Sequence, residues 1–534
     1  MMQRGSKVRP SPRWFPILVL ILAQLGAGGA AAGPLRLFGF DASSRGSGNS
    51  QGAIGRGIGA VLSNPALLTD LPDLFTVQAG LYRSSLFADV MPRPTATEVP
   101  ITYYDSDVGI QGEGLDRPLP TSELRVPRHD QRIDDAAGFI GLGLAHSLGF
   151  EGFKLGLMFH MPVTGLASLN TAYPDERDQY FGNTVHFARF GEWGKMLVGG
   201  GGIAYAPFEW ISFGVAAEVA LAADLVIDMY VPEATVQEYA LVNGEIEAVP
   251  SVRFVGGLKG RPLEWLHLGV TFRDRRFMEV GTDAKLTLWN YHEASDRATI
   301  LNQIKQQHNL AIDYEPLEVS AAVGVQFEKI WAQATVTWSH WENYFDQHRQ
   351  HPEDAALFLD DNEPRCYAPQ EGDVCPTLSS GYGDDFRFHD TATVRVGAGY
   401  EYLEGFELLA GFGYFPSPVP DQVGRTSYVD NHLLLASLGH RFEFTILESR
   451  FSADIGLQFW HMLEITVHKD PAQVKDEFAD RAKGLTTGKA MAEAAGLQTN
   501  NPGFPGYRAG GWLFSASAAL TYHFGVPAES EVQR

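Results

Sequence analysis

Residues 512–524 read WLFSASAALTYHF. Trp512, Phe514, Ala516, Ala518, Leu520, Tyr522 and Phe524 fall on one side of this stretch, and Ser515, Ser517, Thr521 and His523 on the other. A strand returns to the same face every second residue, so the segment is a strand with one apolar face. The same period governs 317–328, where Leu317, Val319, Ala321, Val323, Val325 and Phe327 oppose Glu318, Ser320, Gly324, Gln326 and Glu328. In 450–463, Phe451, Ile455, Leu457 and Phe459 oppose Ser452, Asp454 and Gln458.

Working outward, such segments recur at 74–82, 136–149, 152–162, 196–206, 209–221, 250–260, 264–290, 317–328, 330–340, 391–402, 406–414, 432–444, 450–463 and 512–524. The seventh is long, is expected to bend or break near Arg273–Arg276, and is counted whole. The connections alternate. Long ones (83–135, 163–195, 222–249, 291–316, 341–390, 464–511) and the medium 415–431 are separated by short turns such as Phe150-Glu151, Pro207-Phe208 and Leu403–Gly405. An even count with alternating short and long connections is the pattern of an outer-membrane barrel, with short turns inside and long loops outside. The expected fold is all-β: a 14-stranded antiparallel transmembrane β-barrel. Its apolar faces meet lipid, and its charged positions go to the lumen, because a charge facing the bilayer midplane costs about 2–4 kcal/mol. Trp210, Trp265, Trp331, Trp338, Trp341, Trp460 and Trp512 are expected in the aromatic girdles. Helices are expected in two outer loops, around His292–His308 and Pro471–Ala495.

The start of the chain carries Arg4, Lys7, Arg9 and Arg13, then an apolar run from Trp14 to Leu25, then small residues to Ala32. This reads as a signal peptide cut after Ala32, with a run too short to span a membrane as a helix. The formal net charge of −23 argues against a nucleic-acid partner. Cys366 and Cys375, the only cysteines, are expected to close a local loop as a disulfide.

Residues 33–82 read GPLRLFGFDASSRGSGNSQGAIGRGIGAVLSNPALLTDLPDLFTVQAGLY. A small-residue segment, then Asn64-Pro65-Ala66, then about ten residues to the first strand resembles the amino-terminal plug of the FadL family. Those are outer-membrane transporters of long-chain fatty acids and other hydrophobic molecules. The likeness continues through AYAP at 204–207 with WISFGVAAEV, GGLKGRPLEWLHLGVTFRD at 256–274, TVTWSHWENY at 335–344, and GFGYFPSPVPDQVGRTSYVDNHLLLASLGHRF at 411–442. It covers nearly the whole mature chain. The long loops 83–135 and 341–390 and the ten residues after Phe524 depart from it.

The resemblance implies a signal peptide at 1–32, a plug (hatch) inside the lumen at 33–73, a barrel with long extracellular loops at 74–524, and a periplasmic tail at 525–534. It implies a monomer in the outer membrane, among outer-membrane lipids. Long-chain fatty acids or other hydrophobic small molecules would pass without cofactor, metal or chemistry. It assigns Asn64, Pro65 and Ala66 to the plug motif. In the family, cargo leaves sideways through a kinked third strand. Here that strand reads LGLMFHMPVTGLASLN, and Pro162 and Gly165 are the kink candidates, with a simple strand end as the alternative.

A fatty acid needs an apolar slot and a polar group for its head. Alternation puts Arg253, Lys259, Arg273 and Arg395 on the lumenal face, and a guanidinium holds a carboxylate with two parallel hydrogen bonds. Arg253, Arg273 and Arg395 are the headgroup candidates. The competing use of the same charges is an ion-pair network with Glu218, Glu318, Glu401 and Asp454. Gly48-Asn49-Ser50-Gln51-Gly52 matches Gly-x-Ser-x-Gly, but no strand-to-helix elbow is expected around it, so it reads as chance and not as an enzyme's nucleophile. The run Asp360-Asp361-Asn362-Glu363 lacks a full calcium loop. Two other functions stay open: a surface-exposed adhesive or structural barrel, and a transporter of aromatic hydrocarbons. A general porin is disfavoured by the plug.

Overall fold

A computed structural model of the chain describes residues 35–91, 136–163, 197–231, 241–292, 297–343, 388–424, 426–471 and 504–524, with short pieces between them. The expected signal peptide, Gly165, both cysteines, the acidic run at 360–363 and the tail lie outside the described residues.

The barrel strands are β1 (Leu74–Val90), β2 (Ala136–His146), β3 (Phe153–Pro162), β4 (Leu197–Phe208), β5 (Ile211–Val231), β6 (Leu241–Leu263) and β7 (Leu266–Arg273). An inserted hairpin, β8 (Arg276–His292) and β9 (Arg297–Glu315), follows. The wall resumes with β10 (Leu317–Gln326), β11 (Ile330–His340), β12 (Thr391–Leu403), β13 (Phe406–Phe415), β14 (Leu433–Ile446), β15 (Ser449–His468) and β16 (Gly506–His523). β7 pairs with β10, so the hairpin stands outside the circuit. β1 pairs with β2 from Leu74↔Ala145 to Arg83↔Ala136, and with β16 from Leu74↔His523 to Val90↔Tyr507. The sheet therefore closes as fourteen antiparallel strands with no free edge, which satisfies the backbone within the wall.

The faces follow the period. Val77, Leu81, Val215, Leu438 and Leu520 are exposed on the outside, and Phe254 is 64% exposed there. Apolar side chains so exposed on every strand make a wall suited to lipid. Phe208 stacks on Trp210, Trp265 on Phe327, and Tyr522 lies beside Phe524 at the end of the short turns. Two of the expected girdle tryptophans are not there. Trp331 and Trp460 are fully buried on the lumenal side. Trp331 shares its face with Gln333 and Thr335, and Trp460 shares its face with Gln458, so alternation turns both inward.

The expected seventh strand is broken at Asp274-Arg275, between β7 and β8. The helix expected around His292–His308 is not formed: Arg297–Glu315 is strand β9, paired with β8 along its length. The apolar three- and four-residue steps there are outweighed by cross-strand pairing, which the sequence period cannot report. The helix expected at Pro471–Ala495 falls outside the described residues, apart from a two-residue pairing of 479–480 with 494–495. β5, β6 and β15 run beyond their expected ends.

Residues 35–73 run through the interior as short turns of helix, Leu35–Phe38, Ala42–Gly46, Ala60–Ser63 and the 3₁₀ turn Pro65–Asp70. Asp41 caps the second, accepting from the Ser44 N–H at 2.7 Å, and also accepts from the Gly59 N–H at 2.6 Å. Glycines of the wall admit this segment. A Cβ on Gly269 would fall on the Gly52 carbonyl, and one on Gly411 would fall on the Gly48 nitrogen.

Candidate functional site

The inward faces meet the amino-terminal segment all round. The Gln333 side-chain carbonyl accepts from the N–H groups of Ala53 and Ile54 (3.3 and 3.1 Å), and its amide donates to the Ile54 carbonyl (3.1 Å). Thr335 donates to the Ser50 carbonyl at 2.6 Å, Ser437 to Gly46 at 3.1 Å, Gln458 to Arg45 at 3.2 Å and Gln78 to Phe40 at 3.0 Å. Asn64 is fully buried. Its amide donates to the carbonyls of Gly52 (2.8 Å) and Leu258 (3.3 Å), while its oxygen accepts from Ala66 N–H (3.2 Å). Pro65 opens the 3₁₀ turn, and Ala66 accepts from Ser212 at 3.0 Å. Asn-Pro-Ala thus caps a turn and pins it to β5 and β6. Ser50 lies in this segment, on no strand-to-helix elbow, and donates to the Ser47 carbonyl at 2.8 Å.

Beyond the segment, on the side of the long loops, lies a packed apolar cluster. Phe38 packs on Tyr82 (4.7 Å between ring centres) and edge-on to Trp460 (5.7 Å), and Phe415 lies 4.7 Å from Trp460. Phe139 lies against both Tyr82 (4.9 Å) and His160 (4.5 Å). The connection after β13 folds inward over this cluster. Tyr428 and Val429 are buried and pair with His186–Phe187. Tyr507 donates its hydroxyl to the Tyr428 carbonyl (2.9 Å), and the Asn431 amide reaches the carbonyls of Leu463 and Ala509 (2.7 and 3.0 Å). Lys469 Nζ donates to the carbonyls of Gly424 and Thr426 and to Ser427 Oγ. Residues 416–424 and 426–431 therefore cover the cluster and do not stand out as a free loop.

The three headgroup candidates stand apart. Arg253 is buried between Glu218, at 2.7 Å, and Glu315, and Arg276 bridges the same two carboxylates at 2.9 and 2.7 Å. This square joins β5, β6, β8 and β9 where the hairpins leave the barrel. Arg273 donates to the Leu62 carbonyl and lies 5.5 Å from the Phe40 ring centre, so it holds the amino-terminal segment. Lys259 pairs with Asp70. Arg395 is half-buried and donates to Thr337 Oγ1 at 2.6 Å, and among the described residues it has no carboxylate partner. Gly413 lets its stem approach the apolar cluster: a Cβ there would lie 2.7 Å from Phe415 Cε2 and 3.4 Å from Arg395 Cγ.

One buried cation escaped the sequence reading. Arg45, in the amino-terminal segment, donates to the Tyr82 hydroxyl (2.9 Å) and lies 4.3 Å over the Phe139 ring. A single arginine among small residues carries no periodic signal, so nothing marked it.

Pro162 is the last residue of β3 and faces Phe139 of β2. On the other side, pairing with β4 stops at His160↔Val198. Each end of the wall carries a hydrogen-bonded carboxylate. At the short-turn end, burial raises the Asp73 carboxyl, but hydrogen bonds from Lys154, Ser147 and His146 outweigh it and hold the group below the usual range. At the mouth, burial raises the Asp390 carboxyl, and hydrogen bonds from His340 (3.0 Å) and the Glu342 N–H (3.1 Å) bring it below the usual range. Among the described residues no cluster of metal-ligating side chains forms.

No family model matches the chain, and no curated protein does. Among solved structures, a Pseudomonas aeruginosa FadL homologue is similar with a TM-score of 0.51 and 12% identity, over 93% of this chain and 100% of that one. The P. putida toluene transporter TodX gives 0.45 and 13%, over 91% and 99%. The Ralstonia pickettii toluene transporter TbuX gives 0.44 and 12%, over 92% and 100%. The fold of this chain is that of the FadL-type barrels.

Proposed function

We propose that the protein lies in the outer membrane and lets hydrophobic molecules with an acidic head, long-chain fatty acids above all, pass inward. The observation that carries this reading is Arg395: a guanidinium without a carboxylate partner among the described residues, its stem beside the apolar cluster. Its donors suit a carboxylate, and the apolar side chains beside it suit the chain attached to it. In this reading residues 33–73 act as a plug that excludes an open water path, 1–32 are removed on export, and Pro162 marks the exit in the wall. The fold supports the reading, because the FadL homologue and the toluene transporters share it.

The aromatic rings of the cluster favour a second cargo, aromatic hydrocarbons, which need no charged anchor. The two are separated by measuring oleate and toluene binding to Arg395→Gln. Oleate affinity is expected to fall about tenfold or more, the worth of a charge-assisted hydrogen bond, with toluene unchanged. Unchanged oleate affinity would remove the headgroup role and leave the hydrocarbon reading. Binding of neither compound by the wild-type protein would favour a surface-exposed barrel whose loops meet a partner.

A further inference from the structure

One strand of the outer wall carries a cation within its apolar band. On β1, the residues that face outward are Phe75, Val77, Ala79, Leu81, Arg83, Ser85, Phe87 and Asp89. Arg83 is exposed, and no described residue hydrogen-bonds or ion-pairs with it. Its cross-strand neighbours are Ala136 on β2 and Phe514 on β16, and Phe514 in turn faces Phe459 on β15. Among the described outward-facing positions between the two aromatic girdles, Arg83 is the one arginine or lysine.

Its height is informative. Arg83 is nine residues beyond Leu74, at the short-turn end. That is about 30 Å along the strand and, at the usual tilt, about 23 Å up a wall whose apolar band is about 25 Å tall. Arg83 therefore sits just under the outer boundary. One step above it, Ser85 pairs with Trp512, which stacks on Phe459 and pairs with His461. Further up, Arg508 lies 5.3 Å from the Phe87 ring centre and is already shared between Glu464 (3.3 Å) and Asp89 (3.7 Å). A guanidinium below this girdle has apolar side chains beside it and reaches upward along Ser85 to the headgroup layer.

We propose that Arg83, with Ser85 and Trp512 as its neighbours, forms a binding site for the phosphate of an outer-leaflet glycolipid. Charge complementarity selects this occupant. A guanidinium recognises phosphate through paired donors, and the outer leaflet presents phosphate at the height where Arg83 ends. Trp512 supplies the flat apolar surface on which the first acyl chain lies.

The test is native mass spectrometry of the full barrel in nanodiscs containing lipid A, beside discs with phosphatase-treated lipid A and discs with phosphatidylethanolamine alone. Wild type is expected to retain one phosphorylated lipid A under activation that strips the other lipids. Arg83→Gln is expected to lower that retention about tenfold or more, with Arg83→Lys intermediate. Treated lipid A on wild type should behave like lipid A on Arg83→Gln, a comparison that needs no variant to fold. Equal retention of treated and untreated lipid, or of untreated lipid by wild type and Arg83→Gln, would overturn the site. Oleate binding is expected to be unchanged in Arg83→Gln, so the outcome is independent of the cargo reading.

Discussion

Arg253 and Arg395 come from the same sequence argument, yet the protein uses them differently. Alternation put both on the lumenal face, and both are there. Which carboxylate reaches which guanidinium depends on strand register across the barrel. The Arg253 square needs Glu315, from the end of β9, and Arg276, neither of which local spacing singles out. Trp331 and Trp460 make the complementary point. Their parity alone assigned them inward, and only their residue type suggested a girdle. At this scale the mouth gives a pH prediction. The Asp390 carboxyl is held below its ordinary value, so its contribution is fully present above the unfolded pKa, near 3.9. It is lost as pH falls below that through the folded pKa. Protection of the amides at residues 340–343, the intrinsic exchange rate at each pH divided by the observed one, is expected to be high at pH 6 and to fall on acidification below about pH 4. Asp390→Asn should be less protected at pH 6 and lose little further protection in acid. The same acid response in the variant would exclude Asp390 as its source.

Among the elements, the fourteen barrel strands were legible because a closed sheet with lipid outside and a filled lumen inside forces a period of two on every strand. The hairpin β8–β9 was half legible: the break at Asp274-Arg275 was, the second strand was not, since its apolar spacing also fits a helix. The turn between β14 and β15 carries strain that the sequence does not advertise. Ile446 pairs with Ser449, and the two residues between them, Leu447 and Glu448, have φ of 49° and 65°. Left-handed backbone at both positions of a two-residue hairpin favours Asn-Gly. Leu447 is 93% exposed, so its side chain loses little if replaced. The double substitution Leu447→Asn, Glu448→Gly is expected to stabilise the barrel by about 1 kcal/mol, read as a shift in the urea midpoint of refolding in detergent. A lower midpoint would mean that the strain is offset by contacts those side chains make.

For the molecule as a whole, the amino-terminal segment and the wall are fitted to each other at glycines. Gly269→Val places a side chain on the Gly52 carbonyl. Gly269 lies in a strand laddered on both sides, whereas the segment is held by scattered side-chain hydrogen bonds, so the segment is expected to give way. In planar bilayers the variant should show ion conductance absent from wild type, with the barrel's heat-modifiable mobility kept. A silent variant would mean that the segment shifts without opening a path. That the segment fills a barrel was legible from sequence only through family likeness. Its contacts lie too far apart along the chain for any local pattern to show them, and that distance governs how the molecule is made. Ser437 meets Gly46 across 391 residues, and Gln458 meets Arg45 across 413. The amino-terminal segment is thus bound by walls made of β14 and β15, late in the barrel. It lacks these partners until those strands are in place, and closure of β1 on β16 shuts it in. Assembly of this protein is an act of wrapping, in which the closing strand decides whether the segment is enclosed or left outside.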